Sequence, residues 1–339
     1  MKKLLSILAM IVLITSCGED SSGPSPSDNT DWYYFFAQIE SLDKYVSFKV
    51  NENGDVKLFK ENTGVFAVHS DKVYYLNDND DGNKYFAYSD RAGRNEVILM
   101  NDIAGRFNGI ALSPDGKTLV YNIDGVTYLM DIESRLENQI DFDGGGFSFS
   151  QNSDKIVTID LFDGENFVLK VYDLASDSSK VLLTLEPNTE CDKPCWSESG
   201  EAIIFHYIDE DDADLPGKLI KIDVSDGSNE IIYEFTGDEV EYGWAGDAFY
   251  YDNGSKIFWY NYVSKKLITM NSDGSGVKKT TFPYEHCWIN SDPFYSSNEI
   301  FLLTGSTEAD AKVHIYNLDT GESRVLANDV ITKLIKQMQ

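Results

Sequence analysis

From Trp32 onward, short β-branched and aromatic runs are separated by Asn, Asp and Gly, and hardly any stretch carries a helical period. The clearest run is Ala111 to Asn122, ALSPDGKTLVYN, in which an apolar segment meets a Ser-Pro-Asp-Gly turn and leaves it as a second strand. The same frame returns as FSQNSDKIVTI at Phe149, WSESGEAIIF at Trp196 and YSSNEIFLL at Tyr295, with looser copies HSDKVYYL at His69 and WAGDAFYY at Trp244. The aligned positions are Ser70, Ser113, Ser150, Ser197, Ala245 and Ser296. They recur about every forty to fifty residues, the period of one propeller blade.

A full unit reads as four strands. After Gly145 they are GFSFS, KIVTIDLF, FVLKVYDL and SKVLLTLE; the next unit gives PCWS, EAIIFHYI, KLIKIDV and NEIIYEF. The third strand runs into turns such as DVSDGS, NSDGSG and NLDTGES, where Gly, Asn and Asp supply positive dihedrals. Runs apolar on both faces suit sheets packed between neighbouring sheets. Residues 31–61 add a unit without an inner strand, and DVITKLIKQ at 329–337 is expected to supply it and close the ring. The expectation is an all-β propeller of four-stranded blades, seven by count, with six as the alternative, in one domain over residues 31–339.

Composition sharpens this picture. Hydrophobic residues are 42% and aromatics 13% of the chain, enough for a β core. The net charge of -29 disfavours nucleic acid as a partner, because such a field repels phosphate backbones. Ahead of the repeats, Met1 to Lys3 are a basic start, Leu4 to Ile14 an apolar stretch too short for a stable span, and Thr15-Ser16 small residues before Cys17. Residues 18–31 are rich in Ser, Pro, Asp and Gly and read as a tether.

Two family resemblances follow from these residues. Ile14-Thr15-Ser16-Cys17 is similar to a bacterial lipobox; this implies a signal peptide over 1–16, lipidation of Cys17, and an acylated tether over 17–30. Gly18 after the cysteine, by the same resemblance, favours the outer membrane. SPDGKTLVY at Ser113, MNSDGSGVKKTTF at Met270 and IYNLDTGESRVLA at Ile315 resemble the repeats of TolB-like propellers, over nearly all of 31–339. That resemblance implies fold and leaves function open, since such propellers serve both as binding modules and as lids of peptidases. The chain has no Gly-x-Ser-x-Gly elbow and no room for a hydrolase domain beside the repeats, so a peptidase is excluded.

Candidate chemistry is sparse, and no catalytic residue is assigned. The four histidines are His69, His206, His286 and His314; His206 and His314 fall inside hairpin strands and read as structural. Cys195-Trp196 and Cys287-Trp288 occupy equivalent places at the start of inner strands. Cys191-Asp-Lys-Pro-Cys195 reads as a small disulfide loop of an exported protein, with unpaired thiols or a metal site as the alternatives. The acidic segments 77–82, 160–165 and 209–214 read as solvent-side turns; weak calcium binding there is left open, and no other cofactor or metal is expected.

The loops leading into the inner strands are the candidate binding face, carrying Glu190, Trp196, Glu241, Tyr242, Trp244, Glu285, His286 and Trp288. The expected protein is a monomeric, lipid-anchored envelope module that binds a protein, peptide or glycan without catalysis. The alternative is a glycan lyase or hydrolase in the axial funnel, where Glu190, Glu241 and Glu285 would be the carboxylates.

Overall fold

The recurring serine is a turn-closing device. Ser113 Oγ donates to Asp115 Oδ1 at 2.7 Å and accepts from the amides of Lys117 and Thr118 at 3.2 and 2.9 Å. Ser150 repeats the arrangement with Asp154 and the Lys155 amide at 2.6 and 3.0 Å, and Ser197 accepts the Ala202 amide at 3.0 Å. One hydroxyl thus satisfies backbone donors that a tight reversal would leave unpaired.

In the computed structural model the described residues are 32–42, 44–78, 84–142, 144–160, 167–185, 189–191, 193–209, 217–235, 247–261, 264–281, 287–289, 298–305 and 310–338. They form seven sheets, and the fold is an all-β seven-bladed propeller of four-stranded blades, with three strands in the first blade. Blade 1 covers 32–61, blade 2 63–100, blade 3 107–140, blade 4 145–184, blade 5 189–234, blade 6 249–281 and blade 7 287–327. Within each, neighbouring strands pair antiparallel in sequence order, the two pieces of the blade 5 inner strand both pairing with the strand that follows. The leader, Cys17 and the tether lie outside the described residues.

Blades 3 to 6 make one compact unit. Blade 4 shows the pattern: Gly145–Phe149, Lys155–Asp160, Val168–Asp173 and Ser178–Thr184, with Ile156 opposite Tyr172 and Val157 opposite Val171. In blade 5 the inner strand is split into Thr189–Cys191 and Cys195–Trp196, both paired to Ala202–Asp209. Pro194 lies in the break, where a residue without an N–H cannot donate to the ladder. In blade 6 the inner strand is Phe249–Tyr251, and its turn runs through Asp252 to Ser255. The frame placed at Ala245 by sequence therefore belongs further along. DNGSKIFWYN supplies the acceptor through the Asp252 carbonyl, which takes the Ser255 hydroxyl at 2.8 Å.

Blades 1, 2 and 7 with the C-terminal segment form the second unit. Blade 1 has three strands, Trp32–Ile39, Lys44–Asn51 and Val56–Glu61. Its middle strand is tied to blade 2 by Ser47 Oγ, which donates to the Thr63 carbonyl at 2.7 Å and accepts from the Val65 amide at 3.2 Å. The expected closing strand at 329–337 is instead a helix, Val330–Met338, here α1. The reason is legible afterwards: Val330, Ile331, Leu334, Ile335 and Met338 repeat at helical rather than alternating spacing. Val330, Ile331 and Leu334 are buried in one cluster with Phe35, Phe48, Phe301 and Val313. The segment still serves blade 1. Gln337 accepts from the Leu58 amide through Oε1 at 2.8 Å and donates Nε2 to the Val56 carbonyl at 3.0 Å, pairing two backbone groups of the sheet edge as a strand would.

Candidate functional site

In the unit of blades 3 to 6, the starts of successive inner strands and the segments that lead into them touch one another. Gly145 lies so close to blade 3 that a Cβ there would fall 2.9 Å from the Asn108 carbonyl oxygen, and one on Gly109 would fall 3.1 Å from the Gly146 nitrogen. Only glycine permits that approach. Gly146 in turn packs against the aliphatic part of Lys193, and the Lys193 amide donates to Asp247 Oδ1 at 3.2 Å. Segments 105–109, 144–146, 193 and 247 thus form a continuous chain across four blades.

Sequence reading missed one member of this surface. The hairpin residue Asp124, in the turn between the second and third strands of blade 3, accepts the Arg106 amide on Oδ1 at 2.7 Å and donates its own amide to the Arg106 carbonyl at 2.8 Å. The candidate face read from the sequence is drawn from the lead-in loops alone. The signal that could have found it is Asp124-Gly125, a turn pair whose carboxylate suits an exposed amide.

Trp196 does not belong to an exposed face. It is fully buried, and its indole N–H donates to the Ser148 carbonyl of blade 4 at 2.9 Å. It shares a cluster with Val157, Ile159, Leu169 and Val171 of blade 4 and Ile203 and Phe205 of blade 5, so it is a wedge between sheets. Glu190 pairs with Ile208 in the split inner strand, and Trp288 pairs with Leu303 in the first strand of blade 7, Cys287–Ile289, as the matching Cys-Trp positions predict. Glu241, Tyr242, Trp244, Glu285 and His286 lie outside the described residues, as do most of the acidic segments 77–82, 160–165 and 209–214.

The expected loop disulfide is not formed: Cys191 and Cys195 are not bridged. Pairing explains why. Cys191 lies opposite Tyr207 and Cys195 opposite Ile204, positions of one strand whose side chains alternate, so the two sulfurs belong to opposite faces of the sheet. Among the described residues no group of three or more His, Cys, Asp or Glu is placed to hold a metal. His206 is buried with its ring edge-on to Phe235 and Trp259 at 5.0 and 5.3 Å, and His314 is buried in blade 7.

At the other end of the strands, on the turn side, blades 5 and 6 enclose a cleft of about 590 Å³. The Ser197 turn, Lys221, Glu230, Tyr250 and Ser272 line it. Lys221 Nζ stands 3.5 Å from Glu230 Oε1. Tyr250 is 1% exposed, and its hydroxyl has no hydrogen-bond partner among the described residues. Burial raises the pKa of that hydroxyl strongly, and neighbouring Cys195 and Glu230 push the same way, so it stays a neutral phenol. The turn acids behave oppositely. Partial burial opposes ionisation of Asp115, but the Ser113 hydroxyl and the amide and ammonium of Lys117 outweigh it and hold the carboxyl below its ordinary range.

No family model matches the sequence, and no curated protein matches it either. Solved structures do. The chain is similar to TolB from Acinetobacter baumannii, at 15% identity and a TM-score of 0.51 over 86% of this chain and 78% of that one. It is similar to an oligogalacturonate lyase from Vibrio parahaemolyticus, at 13% identity and a TM-score of 0.58 over 89% and 87%. It is also similar to a puromycin-hydrolyzing peptidase of Mycobacterium tuberculosis, at 11% identity and 0.64, covering 95% of this chain and 54% of the peptidase. At such identities the likeness carries the architecture, and the architecture is that of a TolB-like β-propeller.

Proposed function

We propose that this protein is a lipid-anchored propeller of the bacterial cell envelope that binds a protein, peptide or glycan partner without catalysis. The supporting observation is the continuous line of inner-strand starts and lead-in segments across blades 3 to 6, in which Asn108, Gly146, Lys193 and Asp247 adjoin one another. Loops from several blades gathered into one surface, on a scaffold whose tryptophan and aliphatic side chains are consumed between sheets, provide the rigid multi-loop platform on which recognition depends. The lipobox at Ile14 to Cys17 and the polar segment behind it support an acyl anchor on the outer membrane. Among the described residues no helix is long and apolar enough to cross a membrane.

A photo-crosslinking residue placed at Lys193 in native envelopes should trap a discrete partner, whereas the same residue at Val181, exposed on the outer strand of blade 4, should not. Fatty-acid labelling should mark the wild type and spare Cys17→Ala. Equal crosslinking at both positions would remove the loop surface as the docking site. Turnover of oligogalacturonate or of peptides by the purified chain, paralleling the activities named for the lyase and the peptidase, would replace binding by catalysis.

A further inference from the structure

We infer that the turn-side cleft between blades 5 and 6 is a second binding site, built for a neutral, hydroxyl-rich ligand of the size of a small saccharide. The inference rests on Tyr250. A buried phenol without a partner loses on folding the hydrogen bond it makes to water in the unfolded chain, and such orphaned groups are rare unless something else completes them. The Tyr250 side chain lines a cleft whose volume, about 590 Å³, falls within the ordinary range of small-molecule sites. The phenol is neutral, so it both donates and accepts, which is what a sugar hydroxyl does in return.

The rest of the lining selects among ligand classes. Its charges are three carboxylates against one ammonium, on a chain whose net charge is -29, so an anion is repelled. The described residues offer no cluster for a metal ion. An ammonium ligand would meet Lys221, which already stands 3.5 Å from the Glu230 carboxylate and compensates its charge. An apolar ligand would strand the hydroxyls of Ser199, Ser272 and Tyr250 and the amide of Asn229. A neutral polyol answers all of these groups at once, because each of its hydroxyls can accept from the ammonium or amide and donate to the carboxylates. The site is separate from the loop surface, at the opposite end of the strands, and stands or falls independently of it.

The test uses the full-length chain in detergent with a panel of neutral mono- and disaccharides, spermidine as the amine probe and inorganic phosphate as the anion probe. Binding is followed by ligand-observed NMR and by the ligand-dependent shift in Tm. At least one neutral saccharide should bind and raise Tm. Tyr250→Phe should weaken that binding about tenfold while leaving the Tm of the unliganded chain unchanged or higher, since it deletes only an unmet hydroxyl. Lys221→Met should weaken it as well. The proposal is overturned if only spermidine or phosphate binds or if no saccharide binds. It is overturned too if binding survives Tyr250→Phe, or if that substitution lowers the Tm of the unliganded chain, which would show the hydroxyl already bonded within the fold.

Discussion

Blade 1 lacks a fourth strand and is covered by α1, whereas blade 5 has its full set of strands, broken at Pro194 and held against blade 4 by Trp196. Both must remove an apolar sheet face from water and leave no row of unpaired backbone groups. Blade 1 does so with a separate element, three buried aliphatic side chains of α1 and one glutamine amide. Blade 5 does so from within, through an indole that fills the space between sheets and bonds a carbonyl across it. The difference predicts where each unit is vulnerable. In the unit of blades 1, 2 and 7 the cover can be cut away without touching the sheet; in the other unit it cannot.

Truncation before Asp329 should produce the largest effect. It uncovers the pocket filled by Val330, Ile331 and Leu334, each worth about 1.5–3 kcal/mol when fully buried, so a loss of about 5–9 kcal/mol is expected, comparable with the whole stability of a domain. Denaturant unfolding followed by hydrogen exchange should show the loss concentrated in blades 1, 2 and 7. Gln337→Ala is the control, with about 1 kcal/mol for its two bonds to the edge of blade 1. An unchanged midpoint after truncation would mean that the helix covers nothing of energetic consequence.

Trp196→Ala comes next, at about 3–5 kcal/mol for an emptied wedge. Trp196→Phe should recover most of the packing and leave the Ser148 carbonyl without its donor. If exchange protection falls in blades 4 and 5 together, the residue couples the two sheets; a loss confined to blade 5 would contradict its role as a wedge.

The smallest effect is pH-dependent and belongs to blade 7. Burial first, and the nearby Lys312 charge second, depress the His314 pKa from 6.5 to about 4. A histidine held neutral in the fold binds its proton more readily when unfolded. Its contribution is therefore complete above pH 6.5 and is lost as pH falls from about 6.5 to about 4. Stability measured across that window should decline, and His314→Phe should flatten the decline. An identical slope in the variant would assign the acid sensitivity to other groups.

Much of this architecture was legible in the sequence. The spacing of Ser113, Ser150 and Ser197 marks real turns because a hydroxyl at that position satisfies amides four or five residues on, a requirement local enough to be written into each repeat. The turn at Ala245 was misplaced because blade 6 closes its turn from Asp252, whose carbonyl takes the Ser255 amide and hydroxyl and whose carboxylate takes the hydroxyl again, so the serine stands at the end of the turn and not at its start. The C-terminal helix was misread because the need for an edge partner in blade 1 was weighed above the spacing of Val330, Ile331 and Leu334.

What the sequence determined by itself is therefore whatever depends on neighbours along the chain: strands by their apolar runs, turns by their hydroxyl and glycine chemistry, the length of a blade by the period of the repeat, and the lipobox-like segment by its order of residues. Tertiary structure alone decided which side chains share a face and which are buried between sheets. It sent Trp196 into a wedge rather than onto a surface, separated Cys191 from Cys195 by the alternation of the strand they both pair with, drew Asp124 to Arg106, and buried the hydroxyl of Tyr250 without a partner among the described residues. Each of these outcomes depends on which strand lies beside which, and at what register; that information is set by the packing of whole sheets and is absent from any single segment.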